Sequence, residues 1–473
     1  MFFLKVVIAC ACVFCDILLA SPESSNIPAS QSPNFIVIMA DDLGYSDVGF
    51  NGGKQIPTPH IDSIAENGVH FSSAYTSYPV CGPSRAGFIT GRYQQRFGFE
   101  RNPQYKPNDA NMGLPKSETT IAEMLKPAGY TSGIIGKWHL GAHKTLHPLE
   151  LGFDFFFGHL GGGHHYFPEL LTIKDSYGIE NEEKSYQTWI LNNHLPVQTT
   201  KYLTDEFSDQ AVTFMEQNKD KPFLLFLSYN APHAPMEAPQ QVMDRFAFIE
   251  NKKRRTYAAM VSVMDDGVGR VLDKLKELNL EDNTLIFFLS DNGGPTNANA
   301  SNNLPLRGQK SDVWEGGFRV PFAMQWSGQI PAGMTYDQPV SSLDIFATAA
   351  ALAKAAIDPE RQLDGVNLLP YLTESTSEIP HDTIYLRKYD EQRYAVRHGD
   401  FKLVIPEEDQ APVLFNLAED IGETNDILHC YPEKAKELEV LRQQWDAELI
   451  DPGFLGLIHT ESGIRRWGRP KRW

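Results

Sequence analysis

The sequence predicts an α/β sandwich: a large, mostly parallel mixed sheet between helices, followed by a smaller C-terminal antiparallel sheet packed with a helix. Three observations carry this. Strand-length runs such as Asn34 to Ala40 are apolar without alternation, the pattern of strands buried on both faces. Amphipathic helical stretches separate those runs, which calls for parallel crossovers. After about Pro380 the chain turns to short segments punctuated by turn residues, the texture of hairpins.

Taken in order, residues 1–20 hold Lys5, an apolar run from Val6 to Leu19 broken by Asp16, and small Ala20 before Ser21. That is the outline of a signal peptide, too short to span a membrane with margin. Val7-Ile8-Ala9-Cys10 has the look of a lipoprotein cleavage box, but only nine residues precede the cysteine. Release outside the cell or into a periplasm is therefore the expectation, ahead of lipid anchoring. Residues 21–33 are rich in Ser, Pro and Asn and read as a flexible leader.

A catalytic domain is expected over 34–380. Its strands are Asn34 to Ala40, Thr131 to Ile135, Pro222 to Tyr229 and Thr284 to Ser290. Helices are expected at Thr119 to Lys126, Asp205 to Gln217 and Arg254 to Leu278. The last aligns Tyr257, Met260, Val261, Met264, Val268, Val271, Leu272 and Leu275 on one stripe. Residues 381–473 form the second region, with strands at Thr383 to Arg387, Tyr394 to Arg397, Phe401 to Ile405 and Val413 to Asn416. A helix from Glu433 to Leu449 comes next, then a basic tail from Gly463 to Trp473. That tail reads as solvated surface, with a docking or oligomer contact as the alternative.

Composition excludes several classes. A net charge of −18 and a pI near 5.2 argue against a general nucleic-acid binder. Five cysteines in 473 residues are no disulfide framework, and the first three fall inside the signal segment. Cys81 and Cys430 remain, the latter expected as a buried or half-buried free thiol. No stretch after the signal looks transmembrane. His60, His143, His147 and His429 read as capping or surface residues, and Asn299-Ala300-Ser301 is a glycosylation sequon.

Ligands of open α/β sheets bind outside the carboxyl ends of the strands. Four predicted strands end there in chemically capable residues: Asp41-Asp42, Lys137-Trp138-His139, Asn230-Ala-Pro-His233 and Asp291-Asn292. Asp41, Asp42, Asp291 and Asn292 offer only oxygen donors, a set for calcium or magnesium. Neighbouring Asp41 and Asp42 would point opposite ways in a strand, so both can ligate only if the chain turns there. Two capping aspartates and an Asn-Gly turn are the bland alternative.

The most specific stretch is Cys81-Gly-Pro-Ser-Arg85-Ala-Gly-Phe-Ile-Thr90-Gly91-Arg92. Pro83 suits the first turn of a helix, which places Cys81 at the positive end of the helix dipole with Arg85 four residues on. Chemistry alone reads this as a thiolate nucleophile of lowered pKa, with a buried inert cysteine as the alternative.

Here the chain resembles the formylglycine-dependent (type I) sulfatases of the alkaline phosphatase superfamily. Cys81 to Arg85 with Thr90-Gly91-Arg92 is similar to their maturation signature. Asp41-Asp42-Leu-Gly-Tyr45, Gly136-Lys137-Trp138-His139, Asp291-Asn292-Gly293, Lys310 and Glu315-Gly-Gly317 match further landmarks. The resemblance implies an alkaline-phosphatase-like sandwich and a Cys81 oxidised to formylglycine by a dedicated maturation enzyme. It implies one Ca2+ held by Asp41, Asp42, Asp291, Asn292 and residue 81. The hydrated aldehyde would attack sulfur, with Arg85, Lys137 and Lys310 on the sulfate oxygens. His233 with Lys310 would protonate the leaving oxygen, and His139 would take the proton that expels sulfate.

The substrate the resemblance suggests is a sulfated oligo- or polysaccharide, either a marine galactan such as carrageenan or a glycosaminoglycan. His164, His165, Arg96, Glu100, Arg101 and Trp314 are the candidate sugar-binding residues, since aromatics stack on sugars and charged groups read hydroxyls and neighbouring sulfates. Two rivals stand: a phosphate or phosphonate ester hydrolase of the same superfamily, and a sulfated-glycan-binding protein without turnover. Oligomeric state is open at this level.

Overall fold

The computed structural model describes residues 32–171, 188–460 and 463–464. The signal segment, all but the end of the leader, and the tail from Arg465 lie outside the described residues. A ten-stranded mixed sheet forms the centre. Its five middle strands, in the order Thr284–Ser290, Asn34–Ala40, Phe223–Ser228, Thr131–Lys137 and Phe155–His159, are all parallel. Shorter strands flank them on both sides, and Phe322–Gln325 and Ile190–Asn192 join antiparallel.

The sheet is covered twice, and the strand repeat of two shows how. Phe35, Val37 and Met39 face one apolar cluster, whereas Ile36, Ile38 and Ala40 face the other. The 26-residue helix Lys252–Glu277 lays the expected stripe into the second cluster. The short helix Ile121–Leu125 opens on a capping box between Thr120 and Glu123. The Thr131–Lys137 strand runs two residues past its apolar core because Gly136, at φ +113°, carries it on. A Cβ there would lie 1.8 Å from the Ser228 carbonyl oxygen, so only glycine lets the two strands pair at Gly136–Ser228, one residue before Lys137. The middle strand Phe155–His159 escapes sequence reading because Gly158 interrupts it, and the flanking strands because each is only three or four residues long.

The second sheet is four-stranded and antiparallel: Thr383–Lys388, Arg393–His398, Phe401–Ile405 and Val413–Asn416. The helix Pro432–Asp446 covers one face through Ala435 and Leu438. The other face packs Ile384, Leu386 and Val404 against Tyr75, Tyr78 and Phe318 of the larger region. No helix among the described residues is long and apolar enough to cross a membrane.

Candidate active site

The parallel strands deliver their polar residues at one end of the sheet, around a cavity of about 630 Å³. Asp41 and Asp42 come directly after the first strand, and Asp42 adopts φ +68°. This left-handed turn resolves the problem of adjacent carboxylates, since both now reach the same place. His139, two residues beyond the Lys137 strand, takes the same unusual conformation at φ +62°. Such strain persists where surrounding structure enforces it, and it is concentrated at functional sites.

Cys81 opens the helix Cys81–Thr90, preceded by extended Val80 and ended by Gly91 at φ +67°. Every residue of that helix is buried, so Cys81 is locked into the core. Cys81 Sγ lies 3.3 Å from Asp41 Oδ1 and accepts from Lys310 Nζ at 3.0 Å. One oxygen each from Asp41, Asp42 and Asp291, with Cys81 Sγ, fall within 4.8 Å of one another. The three carboxylates are matched by three cations. Lys137 Nζ meets Asp41 at 2.6 Å, Lys310 Nζ meets Asp42 at 2.6 Å, and Arg85 Nε meets Asp291 at 2.9 Å.

Electrostatics corrects one expectation. Burial, with Asp291 and Asp41 adding to it, pushes the Cys81 thiol well above its ordinary pKa, despite Lys137 and Lys310. The unmodified residue is a protonated thiol, not the low-pKa thiolate that the helix dipole suggested. Burial also drives Asp291 up to about 6, with Asp41 beside it adding to the push. For Asp42 burial acts upward as well, but Lys310 and His233 prevail and hold it at about 2. Burial, reinforced by Lys137 and Arg85, pushes His139 well below its usual range, so this imidazole is neutral. Burial takes His233 down to about 3, opposed by Asp42 and aided by Lys310.

The donor chemistry fits a hard cation. Asn292 spends its amide N–H groups on Asp42 Oδ1 and the Gly293 carbonyl, leaving its buried Oδ1 without a hydrogen bond. A carboxamide oxygen and three carboxylates, all buried and crowded, form an oxygen set suited to a divalent ion. His139 likewise has both ring nitrogens buried and unbonded. A Cβ on Gly162 would sit 2.7 Å from its Nε2, so that glycine is what lets the imidazole lie where it does.

The six sugar-binding candidates fall apart. Glu100 and Arg101 line the cavity. His164 is buried with its ring nitrogens 3.0 Å and 2.8 Å from the His165 and Thr188 carbonyls, and His165 pairs with Glu237 at 2.7 Å. Neither lines the cavity. Arg96 is committed to Asp364 and Glu448, and Trp314 lies under the Arg307 guanidinium at 3.6 Å. The structure does not bring these last two to the cavity, because ion pairing and stacking hold them elsewhere.

Two smaller expectations also change. Cys430 is exposed beside exposed His429, not buried. Asn299 of the sequon is buried and donates to the Asp42 carbonyl at 3.0 Å, which leaves no room for a glycan. Ser228 escaped the sequence reading: its hydroxyl accepts from Arg85 Nη1 and donates to the Lys137 carbonyl at 2.7 Å. Lys388, Asp390 and Arg393 of the second sheet also line the cavity unannounced. No local signal marks them, since the Arg101–Asp390 contact spans 289 residues.

Fold and site together define an alkaline-phosphatase-like hydrolase, built around a metal-type carboxylate cluster and a cysteine at the start of a buried helix. The family is more specific. Residues 33–355 match the Sulfatase family model, and residues 309–449 match N-sulphoglucosamine sulphohydrolase, C-terminal. The chain belongs to the type I sulfatases, among the sulfuric ester hydrolases. It is 36% identical over 358 residues to N-acetylgalactosamine-6-sulfatase of Mus musculus, covering 72% of this chain and 66% of the mouse protein. With Mus musculus steryl-sulfatase it is 33% identical, over 79% of this chain and 70% of that protein. The crystal structure of Ps i-CgsB in complex with k-i-k-neocarrahexaose superposes with a TM-score of 0.84. Identity there is 38%, over 92% of this chain and 97% of that one.

Proposed function

We propose that the chain hydrolyses sulfate monoesters of a carbohydrate, with a galactan of the carrageenan type as the foremost substrate and glycosaminoglycans next. The observation that carries this is the meeting of Cys81, three carboxylates and three cations in one cluster that reaches the cavity through Cys81, Asp42 and Lys310, in a chain 38% identical to a protein solved with a neocarrahexaose. We propose further that Cys81 is converted to formylglycine by a maturation enzyme, and that Asp41, Asp42, Asp291, Asn292 and residue 81 hold calcium. Together the two groups would supply a hydrated-aldehyde oxygen nucleophile and a Lewis-acid charge on the sulfate.

The chain's own residues would do the remaining work. Burial pulls Lys310 down, but Asp42 and Asp41 hold it well above its ordinary range, so it stays an ammonium and can bind a sulfate oxygen. Arg85 cannot swing onto substrate, because Nε and Nη1 are spent on Asp291, Ser228 and the Lys137 carbonyl. Its buried, unbonded Nη2 is the remaining donor. Neutral His139 offers a lone pair as the base that releases sulfate. His233 would donate to the leaving sugar oxygen, its imidazolium favoured once an anionic ester lies beside it.

Residues 1–20 are proposed as a signal peptide removed on export, which N-terminal sequencing of the mature protein would check. Sulfate release from defined sulfated galactans, with the desulfated carbon assigned by NMR, tests the activity. Mass spectrometry of the peptide bearing residue 81 should show loss of the thiol. An enzyme fully active with an intact thiol would sink the formylglycine reading, and turnover of phosphate esters alone would sink the sulfatase reading.

A further inference from the structure

The last segment of the described chain runs along the active site, beyond residue 449 where the family match ends. It is stitched to the stretch that leaves the nucleophile helix. Ile450 N–H donates to the Gln95 carbonyl at 3.2 Å, Gly453 to Gly98 at 2.8 Å, and Leu457 to Asn102 at 3.0 Å. Side chains close the same seam. Gln104 Nε2 donates to the Leu455 carbonyl at 3.0 Å, and Arg101 Nη1 to the Phe454 carbonyl at 2.8 Å. Phe454 sets its ring edge-on against Phe99, with centroids 5.1 Å apart. The approach is too close for other residues: a Cβ on Gly456 would lie 2.6 Å from Arg101 Cβ.

Two features turn this strap from packing into a functional wall. Leu457 and Ile458 line the same cavity as Cys81, His139, His233 and Lys310. One residue also fixes their place relative to the nucleophile. Asn102 accepts the Gly82 N–H on its side chain at 2.9 Å and the Leu457 N–H on its backbone carbonyl. Arg101 has its guanidinium spent on Asp390 and Phe454, so although it lines the cavity it acts as the strap's anchor.

We infer that the strap Phe454–His459 forms the subsite for the sugar ring bearing the sulfate ester, with Leu457 and Ile458 covering the ring's apolar C–H face. The cations nearest the nucleophile are engaged with carboxylates and reserved for the sulfate, while Lys388 pairs with Glu391 and Arg101 with Asp390. A pyranose approaching that wall meets paired charges for its hydroxyls and needs an uncharged surface for its C–H face. The strap supplies this, with Tyr105 and Pro103 in the same lining. Arg101 and Asn102 are positioning residues for this wall.

The inference rests on the saccharide reading proposed for this chain, and the test separates the two. The double variant L457A/I458A and the single variants L457A and I458A are compared with the parent on an aryl sulfate and on a sulfated galactan oligosaccharide. The expected result is a fall of about tenfold or more in the ratio of kcat/KM for oligosaccharide over aryl sulfate, expressed in KM for the oligosaccharide. A merely structural role would lower both substrates together and hold the ratio, which overturns the subsite. A parent that cleaves the aryl ester but neither binds nor cleaves any sulfated oligosaccharide overturns the saccharide reading and the subsite together. A parent that cleaves the oligosaccharide with a KM the variants leave in place overturns the subsite alone. Should the double variant fail to fold, the single variants decide by the same ratio.

Discussion

Two clusters of buried charge lie in this protein, and they differ in one respect. Around Glu315, every charge is closed by a partner. Its carboxylate accepts from Tyr75 at 2.7 Å, Arg319 at 3.1 Å and Lys402 at 2.8 Å, and Lys402 also meets Glu423 at 2.8 Å. Around Cys81 the same kinds of residue are buried or nearly so, yet Asn292 Oδ1, Arg85 Nη2 and both nitrogens of His139 lack hydrogen-bond partners, and the cluster opens on the cavity through Cys81, Asp42, His139 and Lys310. The closed cluster ties the four-stranded sheet, through Lys402, to the helix that carries Glu315. The open cluster keeps unsatisfied groups whose cost a bound ion, ordered water or ligand offsets. Burial of charge alone therefore does not mark an active site; unsatisfied capacity facing a cavity does.

The strongest way to break this contrast is at the open cluster. Cys81→Ala should lower sulfate release by about 10,000-fold or more, with folding retained by circular dichroism. A residual rate near that of the parent would remove residue 81 from the chemistry. His139→Ala and His233→Ala should each cost about 100- to 10,000-fold in kcat with smaller changes in KM. A mainly structural histidine would instead lower the melting temperature without that kinetic signature.

At the closed cluster the effect should be on folding. Lys402→Met leaves buried Glu423 without its cation and Glu315 with Arg319 alone, and should cost about 3–5 kcal/mol in unfolding free energy, read by denaturant titration. kcat per folded molecule should be unaltered; a selective loss of kcat would show that the cluster reaches the chemistry. Acid should expose the same cluster. Burial pushes Glu423, which shares Lys402, up to about 7; burial alone would raise Glu315 too, but Lys402, Arg319 and Arg397 hold that carboxylate at about 2, against an ordinary 4.5. Its stabilisation is thus complete above about pH 4.5 and is lost as the pH falls through 2. Glu315→Gln should lose less stability than the parent across that window. The smallest effect is expected at Arg96→Ala, which breaks pairs to Asp364 and Glu448 far from the cavity. We expect a lower melting temperature and an unaltered KM for oligosaccharide; a raised KM would return Arg96 to the sugar site.

Much of the site was legible because its residues sit at strand ends. Asp41, Lys137, His139, His233 and Asp291 all stand at or just beyond the carboxyl end of an apolar run, where ligands of such sheets bind. The Cys81 helix was legible from Pro83 and from its spacing to Arg85. The protonation state of Cys81 was not: the sequence shows the helix dipole but not the carboxylates that surround the thiol. Arg96 and Trp314 misled for a related reason. Their side-chain chemistry suits a sugar, but Asp364 and Arg307, which occupy them, are distant in sequence or silent until folded.

Local pattern alone thus determined four of the five middle strands, the strands of the small sheet, the longer helices and the residue types offered at the sheet's edge, because apolar periodicity and turn chemistry are short-range. Tertiary structure decided which offers meet. The left-handed turn at Asp42 aims two adjacent carboxylates at one point, Asn102 binds the start of the nucleophile helix to a strap 355 residues further on, and burial converts an expected thiolate into a thiol. These depend on long-range contacts and on desolvation, which arise only when distant parts of the chain are packed together.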